Sequence, residues 1–410
     1  MSGQFESFER VALLAAARTP WIDYGGALAQ ISPIDLGIHA ARGVLARAGI
    51  AAEQVDSVLA GSMAQASFDA YMLPRHIGLY AGVPLHVPAL AVQRICGTGL
   101  ELLRQAGNQV EKGASRLALC VATESMSRNP IASYEHRSGF RLGAPVGFKD
   151  FLWEALLDPA IGQTMIDTAH NLAMRHGLQR NEVDAFALGS FEKALAAQAQ
   201  GWFDEEIVPV VSACFELDGY QPRGLQLPRK ISRLERDSHP RATSLEALAA
   251  LAPVTPGSVQ TAGNSCALVD GAAAALVADA REVDSPLALL CASAVVGVPP
   301  EVMGIGPAPA IRLLLQGKGL QLDAIDSLEI NEAQGAQIVA VQRELELDPA
   351  RLNRHGGAIA LGHPLAATGL RLAHSVARQL RARGTRYGIA AACIGGGQGM
   401  ALLLENPACT

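Results

Sequence analysis

The stretch TGLELLRQAGNQVEKGASRLALCVAT, Thr98 to Thr123, has a near twin in TGLRLAHSVARQLRARGTRYGIAAAC, Thr368 to Cys393. Both open on Thr-Gly-Leu, continue with apolar residues at helical spacing and end in a short apolar run. That is the order of a helix followed by a buried strand. A second pair keeps the same register: LARAGIAAEQVDSVLAGS (Leu45 to Ser62) resembles LLQGKGLQLDAIDSLEINE (Leu314 to Glu332). An offset of 270 residues separates Asp56 from Asp326, and also Thr98 from Thr368. Generic α/β amphipathicity can imitate one such match. Two separated blocks in one ungapped register point instead to an internal duplication.

Outward from these blocks, short apolar runs alternate with helical patterns: VALLAAA, DLGIHAARGVLARAG, VDSVLAGS, the segment around Cys96, then RLALCVAT. The alternation predicts an α/β fold with buried strands. Abundant glycine, 41 residues, lets helices and backbone come close. Between the copies the character changes, with Pro and charged stretches such as GYQPRGLQLPRKISRLERDSHPR. Within it, Asn181 is expected to cap a helix over Glu182 to Gly201. The expected organisation is an N-terminal half over 1–126 and 255–282, an inserted loop domain over 127–254 and a C-terminal half over 283–410. An insertion after a strand can cover the strand ends where α/β proteins bind ligands.

With 410 residues, half of them hydrophobic, the chain can bury more than one core. A net charge of −6 gives no electrostatic reason to expect a nucleic-acid partner. The apolar runs are far too short to span a membrane. The acidic start MSGQFESFER resembles neither a secretory signal nor an Arg-rich organelle presequence. Seven scattered cysteines without a CxxC pair suggest reduced thiols and a cytoplasmic location. His and Cys do not cluster at zinc spacing, so no metal is expected.

The duplication aligns Cys96 with Ala366 and Thr123 with Cys393, so each copy offers chemistry that the other lacks. One half gives a cysteine at a helix start, where free N–H groups and the helix dipole favour a thiolate. The other gives NRHGGAIALGHPLAATG before the matching helix and CIGGGQG after the matching strand. Two halves packed about a pseudo-two-fold axis would bring these loops to one asymmetric site. Singly, each residue has a plainer reading. Cys96 can be a core thiol, His363 a turn residue, Cys393 the end of a buried strand and Asn331 in INEA a helix cap. The glycines at 395, 396, 397 and 399 expose backbone N–H groups beside Cys393, an oxyanion cradle.

At these residues the sequence resembles the thiolases. CGTG, NEA, GGAIALGHP and CIGGGQG stand in that family's order and spacing, and TAGNS, DGAAA and MGIGPAPA are similar to further blocks. The likeness runs from VALLAAARTPWIDYGG to the last strand, and the inserted segment looks most like that of 3-ketoacyl-CoA thiolases. The resemblance implies a duplicated α/β core and CoA-dependent cleavage of 3-ketoacyl-CoA, or the reverse Claisen condensation. It implies Cys96 as acyl acceptor, Cys393 as general acid/base, and His363 activating Cys96 and, with a water on Asn331, stabilising the enolate. The N–H groups of Cys96 and Gly395 would hold the other oxyanion. CoA is then a cosubstrate rather than a tightly bound cofactor. CoA and acyl contacts are expected at Met165, His170, Arg241, Thr243, Ala262, Gly263, Cys266 and Gln334, and a homodimer or homotetramer by analogy.

Several positions depart from the family pattern. Gln334 stands where a phenylalanine is usual, Ala366 replaces a glycine, Cys266 a serine, His170 a glutamate and Gln93 an asparagine. Ala122 and Thr123 take the place of a glycine doublet. These changes are either drift or the marks of an acyl pocket suited to polar, carboxylated or oxygenated chains. Two rival functions remain on sequence grounds. A ketosynthase-like condensing enzyme is disfavoured because Cys393 stands where a second histidine is usual. The other is a catalytically silent acyl-CoA binding protein or subunit, kept open by the altered CoA loop.

Overall fold

The structure, a computed structural model, describes residues 2–64 and 67–409. After a short N-terminal strand over Gln4–Ser7, the first half runs through strand β1 (Val11–Arg18), helix α1 (Pro33–Ala48), β2 (Ser57–Gly61), α2 (Leu73–Tyr80) and β3 (Ala89–Ala91). It continues with α3 (Thr98–Glu111) and β4 (Leu117–Glu124). After the intervening segment, which contains α4 (Met165–His176) and α5 (Arg180–Ala199), comes β5 (Val269–Asp279). The second half follows with β6 (Ala288–Gly297), α6 (Pro307–Lys318), β7 (Ile325–Ile330) and α7 (Gly335–Leu345). It closes with α8 (Thr368–Arg383), β8 (Tyr387–Ile394) and β9 (Gln398–Glu405).

Local chemistry sets several of these bounds. Ser32 accepts from the N–H of Ile34 at 3.2 Å, Pro33 suits the first turn of α1, and Gly49 closes it at φ 64°. The helix expected from Asn181 starts earlier, at Arg180. Gln179 precedes it and donates its N–H to Glu182 Oε2 at 2.8 Å, while the Asn181 side chain, already inside the first turn, only accepts from the N–H of Glu182. A side chain one residue too far along cannot cap, so the reciprocal Gln179–Glu182 contact takes over.

The strands share one order twice. β1-β5-β4-β2 in the first half is matched by β6-β9-β8-β7 in the second, with β3 added at the edge of the first. The pairing senses also match: antiparallel, antiparallel, then parallel in both. The two half-sheets join through Leu13 with Ala288 and Ala12 with Leu289, and the N-terminal strand Gln4–Ser7 also pairs with β6 along Ala292–Val295. Their strands are buried on both faces, which is why they read as continuous apolar runs. One core packs α1 and α2 on the outer face of the first half-sheet, and another packs α6 and α7 on that of the second. The largest core lies between, built on α3, α8 and the inner faces of both.

The repeated Thr-Gly explains how α3 and α8 meet. A Cβ on Gly99 would lie 2.6 Å from the Leu370 nitrogen, and one on Gly369 would lie 2.4 Å from the Leu100 nitrogen. Any side chain there would force the two helix starts apart, so each copy needs glycine at the crossing. Arg18 ties β1 to the inserted segment. Buried completely, it bonds both oxygens of Asp237 (2.7 and 2.8 Å) and Glu206 (3.1 Å). No helix among the described residues is long and apolar enough to cross a membrane.

Candidate active site

Cys96 sits just before α3 on a strained turn. Ile95 has φ 46°, a left-handed conformation that a β-branched side chain strongly disfavours. The Thr98 hydroxyl spans it, accepting from the N–H of Arg94 at 2.9 Å and donating to the Ile95 carbonyl at 2.7 Å. The sulfur is nearly buried, among Met63, Met126, Leu152 and Leu365. Burial pushes its thiol up to about 11, the Glu124 charge adds to this, and the N–H of Gly395 opposes it by donating toward the sulfur. The helix start therefore does not make a resting thiolate, contrary to the sequence expectation. Desolvation outweighs the dipole, and Cys96 needs a base.

His363 reaches the same place from the second half. Its Nδ1 lies 2.6 Å from Thr368 Oγ1 and its Nε2 lies 3.2 Å from Asn331 Nδ2. With Nδ1–H donating to Thr368, the lone pair is on Nε2. Burial, then the nearby Arg371 cation, push the imidazole down to about 3, so it is neutral at ordinary pH. Asn331 follows β7, and its Oδ1 is buried without a protein partner. The next residue, Glu332, accepts from Ser190 Oγ (2.7 Å), Asn353 Nδ2 (2.8 Å) and the Ile359 N–H (3.2 Å), locking the loop that carries His363.

A cavity of about 440 Å³ opens onto Cys96 and His363 and also exposes Met165, Ala262, Cys266 and Gln334. Cys393 is fully buried just behind its wall, against Met165, Met303 and Ala333. Burial raises its thiol well above the ordinary range, and the proximity of Cys96 and Cys266 raises it further. Cys266, pushed up to about 12 by burial, donates its N–H to the Ala333 carbonyl at 3.3 Å. Gln334 accepts from Gln260 Nε2 at 3.0 Å through Oε1, which leaves its NH₂ for the cavity.

The structure thus gathers Cys96, His363, Asn331, Cys393 and Gly395, together with Met165, Ala262, Cys266 and Gln334. It leaves the other expected contacts off the cavity wall. His170 lies on α4 about 140° around the helix from Met165, and its Nδ1 is buried without a partner. Arg241 is exposed, over the ring of Phe191 at 4.9 Å. Thr243 precedes Ser244, the cap of a short helix, and Gly263 is wedged against Leu248 and Leu251. Sequence reasoning missed Thr98, Thr368 and Glu124. The first two carried a signal, the Thr-Gly pair standing in both copies. Glu124 carried none that could be read without the fold.

The chain is similar to known proteins over nearly its whole length. The family model for the thiolase N-terminal domain matches residues 11–281, and that for the thiolase C-terminal domain matches 284–406. The mitochondrial 3-ketoacyl-CoA thiolase of Bos taurus is 40% identical over 405 residues, covering 97% of this chain and 98% of its own. A beta-ketoadipyl-CoA thiolase of Acinetobacter baylyi is 39% identical over 408 residues, covering 96% and 98%. The crystal structure of human mitochondrial 3-ketoacyl-CoA thiolase in complex with CoA superposes with a TM-score of 0.91 at 38% identity, covering 97% of this chain and 98% of that one. The chain belongs to the thiolase family.

Proposed function

We propose that this chain is a CoA-dependent acyltransferase that cleaves 3-ketoacyl-CoA to acetyl-CoA and a shortened acyl-CoA, and runs the reverse condensation at the same site. One observation carries the reading: Cys96 and His363 open into a single cavity, with the Gly395 N–H on the sulfur and Cys393 behind the wall. His363 Nε2 takes the Cys96 proton as the sulfur attacks the 3-keto carbon. The C2–C3 bond breaks, leaving an acyl-Cys96 thioester and the enolate of acetyl-CoA. Cys393, protonated at rest, gives its proton to that enolate and recovers one from the incoming CoA thiol, which then takes the acyl group as the Cys96 sulfur leaves and regains its proton from His363. Splitting the reaction at a covalent thioester replaces one difficult step with two easier ones. Asn331 offers its buried Oδ1 to a water that in turn donates to the enolate oxygen, and His363, protonated by the first step, donates to the same developing charge.

Acetyl-CoA labelling followed by mass spectrometry tests this. Cys96 gains one acetyl group in the wild type and none in Cys96→Ser; a folded protein that never acylates Cys96 refutes the assignment.

The acyl preference in this reading is for polar chains. The Gln334 NH₂ facing the cavity would lose a partner against a plain alkyl chain, at about 1–3 kcal/mol. kcat/KM is then higher for a functionalised 3-ketoacyl-CoA than for a long plain one, and Gln334→Phe reverses the order. Best activity of the wild type on the long plain chain defeats it. The same reading takes the protein as a cytoplasmic homodimer or homotetramer. Seven free cysteines support the compartment, and exposed Phe68, Tyr71, Leu85 and Leu90 near the edge strand β3 support association.

A further inference from the structure

β6 begins at Ala288, so its pairing with β1 stops at Leu13, and β1 bulges at Leu14, which the β5 register skips. In the crevice so opened is a second cavity of about 430 Å³, sharing no residue with the catalytic one. Its floor is β1 at Leu14 and Ala16. Its walls carry Arg47 from the end of α1, Arg378 and Arg381 from α8, and Glu205. The volume is in the range of small-ligand sites, and crevices between packed halves are where such sites form.

The charges there do not cancel. Arg378 is engaged: it donates to Glu206 (3.1 Å), Glu205 (2.8 Å) and the Trp202 carbonyl (2.7 Å), and lies over the Trp202 ring. Arg18 and Asp237 complete the buried set around Glu206. Arg47 finds only carbonyl oxygens, those of Glu205 and Ile207, and Arg381 only the Ser285 hydroxyl at 3.3 Å. Among the described residues neither has a carboxylate at ion-pair distance. The acid on the wall, Glu205, has a side chain 80% exposed and reaches Arg378 like an anion on a tether.

We propose that this crevice is a binding site for a small phosphate-bearing anion, held by Arg47 and Arg381 and by Arg378 once Glu205 swings away. Guanidinium groups suit the task, since their planar forks match phosphate oxygens two at a time and never lose their charge. Glu205 competes for the same cation, so the site is tunable by one exposed carboxylate. The ligand is a free phosphate and not the phosphates of CoA, which share this chemistry, and the test separates the two.

The probe is inorganic pyrophosphate, titrated by calorimetry into the full-length protein at fixed ionic strength, because exposed charge pairs are screened by salt. Saturable binding is expected. Arg381→Gln and Arg47→Gln each weaken it by about tenfold or more, the loss of one charge-assisted contact. Glu205→Gln strengthens it several-fold, a gain that loss of folding cannot mimic. Saturating CoA leaves it unchanged. The proposal is overturned if no saturable binding is seen up to about 10 mM, if neither arginine substitution matters, or if CoA displaces pyrophosphate.

Discussion

Replacing Thr98 with valine removes one hydroxyl and keeps the side-chain shape. That hydroxyl holds the Arg94 N–H and the Ile95 carbonyl, at 2.9 and 2.7 Å, on either side of a residue at φ 46°. A β-branched residue there stores strain on the order of 1–3 kcal/mol. Two hydrogen bonds at about 0.5–1.5 kcal/mol each are enough to offset it. Without them Ile95 relaxes toward negative φ and carries Cys96, the next residue, with it. A shift of about 1 Å at a reacting atom costs roughly a hundredfold in rate. Global stability changes less, by about 1–2 kcal/mol, because relief of strain compensates part of the lost bonding. Single-turnover acetylation of Cys96 by acetyl-CoA reads the first effect and urea unfolding the second, with Thr98→Ser expected to restore both. A Thr98→Val protein that acetylates Cys96 at the wild-type rate, while losing about 3 kcal/mol of stability, refutes the reasoning. The hydroxyl would then only hold a helix start.

Three further outcomes are expected. His363 and His374 are pushed down to about 3 and about 4 from 6.5, chiefly by burial, so the unfolded chain binds more protons between those values. Their contribution to stability is full above pH 6.5 and lost as pH falls through that window. Urea midpoints measured down the acid range will show the loss, and His374→Gln will flatten it. Arg18→Met leaves the buried Asp237 and Glu206 without their shared cation. That costs about 3–5 kcal/mol, measured by urea unfolding; a change below about 1 kcal/mol would show that the network is solvated. Cys393→Ala abolishes the proton carrier while sparing the cavity wall, so exchange of solvent protons into the methyl group of acetyl-CoA falls by about 10²–10⁴, followed by NMR.

Much of the fold was legible because the repeat is a backbone property. An ungapped offset carried by helix-then-strand blocks survives drift in the side chains, and the Thr-Gly pair marks the place where α3 and α8 must touch. The reacting residues were legible for a related reason: a cysteine before two glycines, or a histidine before proline, is conspicuous in any chain. What stayed hidden depends on neighbours far away in sequence. Burial of Cys96 comes from Met63, Met126, Leu152 and Leu365, four separate segments, and it inverts the protonation state expected from the helix start alone. His170 sits one helix face away from the cavity, a rotation that spacing does not reveal when the helix boundary is unknown. Arg241 and Thr243 lie where the inserted segment folds back by loop geometry, and loop geometry has no periodicity to read.

The pseudo-symmetry also explains why one cavity suffices. By the 270-residue offset, Cys96 corresponds to Ala366, and Glu124 to Ile394, the neighbour of Gly395. At one pole the Gly395 N–H meets the Cys96 sulfur. At the other the contact has the reverse polarity, the Ala366 N–H donating to the Glu124 carboxylate at 3.0 Å. Glu124 also accepts from Ser62 Oγ (2.9 Å) and from the N–H groups of Met63 (3.2 Å) and Ala64 (3.0 Å), which binds loops of both halves together. Such a carboxylate cannot serve as a second catalytic pole, because its lone pairs are consumed by structural donors. It fixes the Pro364–Ala366 turn and hence His363, and its charge helps keep Cys96 protonated until that imidazole acts. The duplicate half thus became the support and the base for a nucleophile it does not itself possess, and its own equivalent site was spent as an anchor.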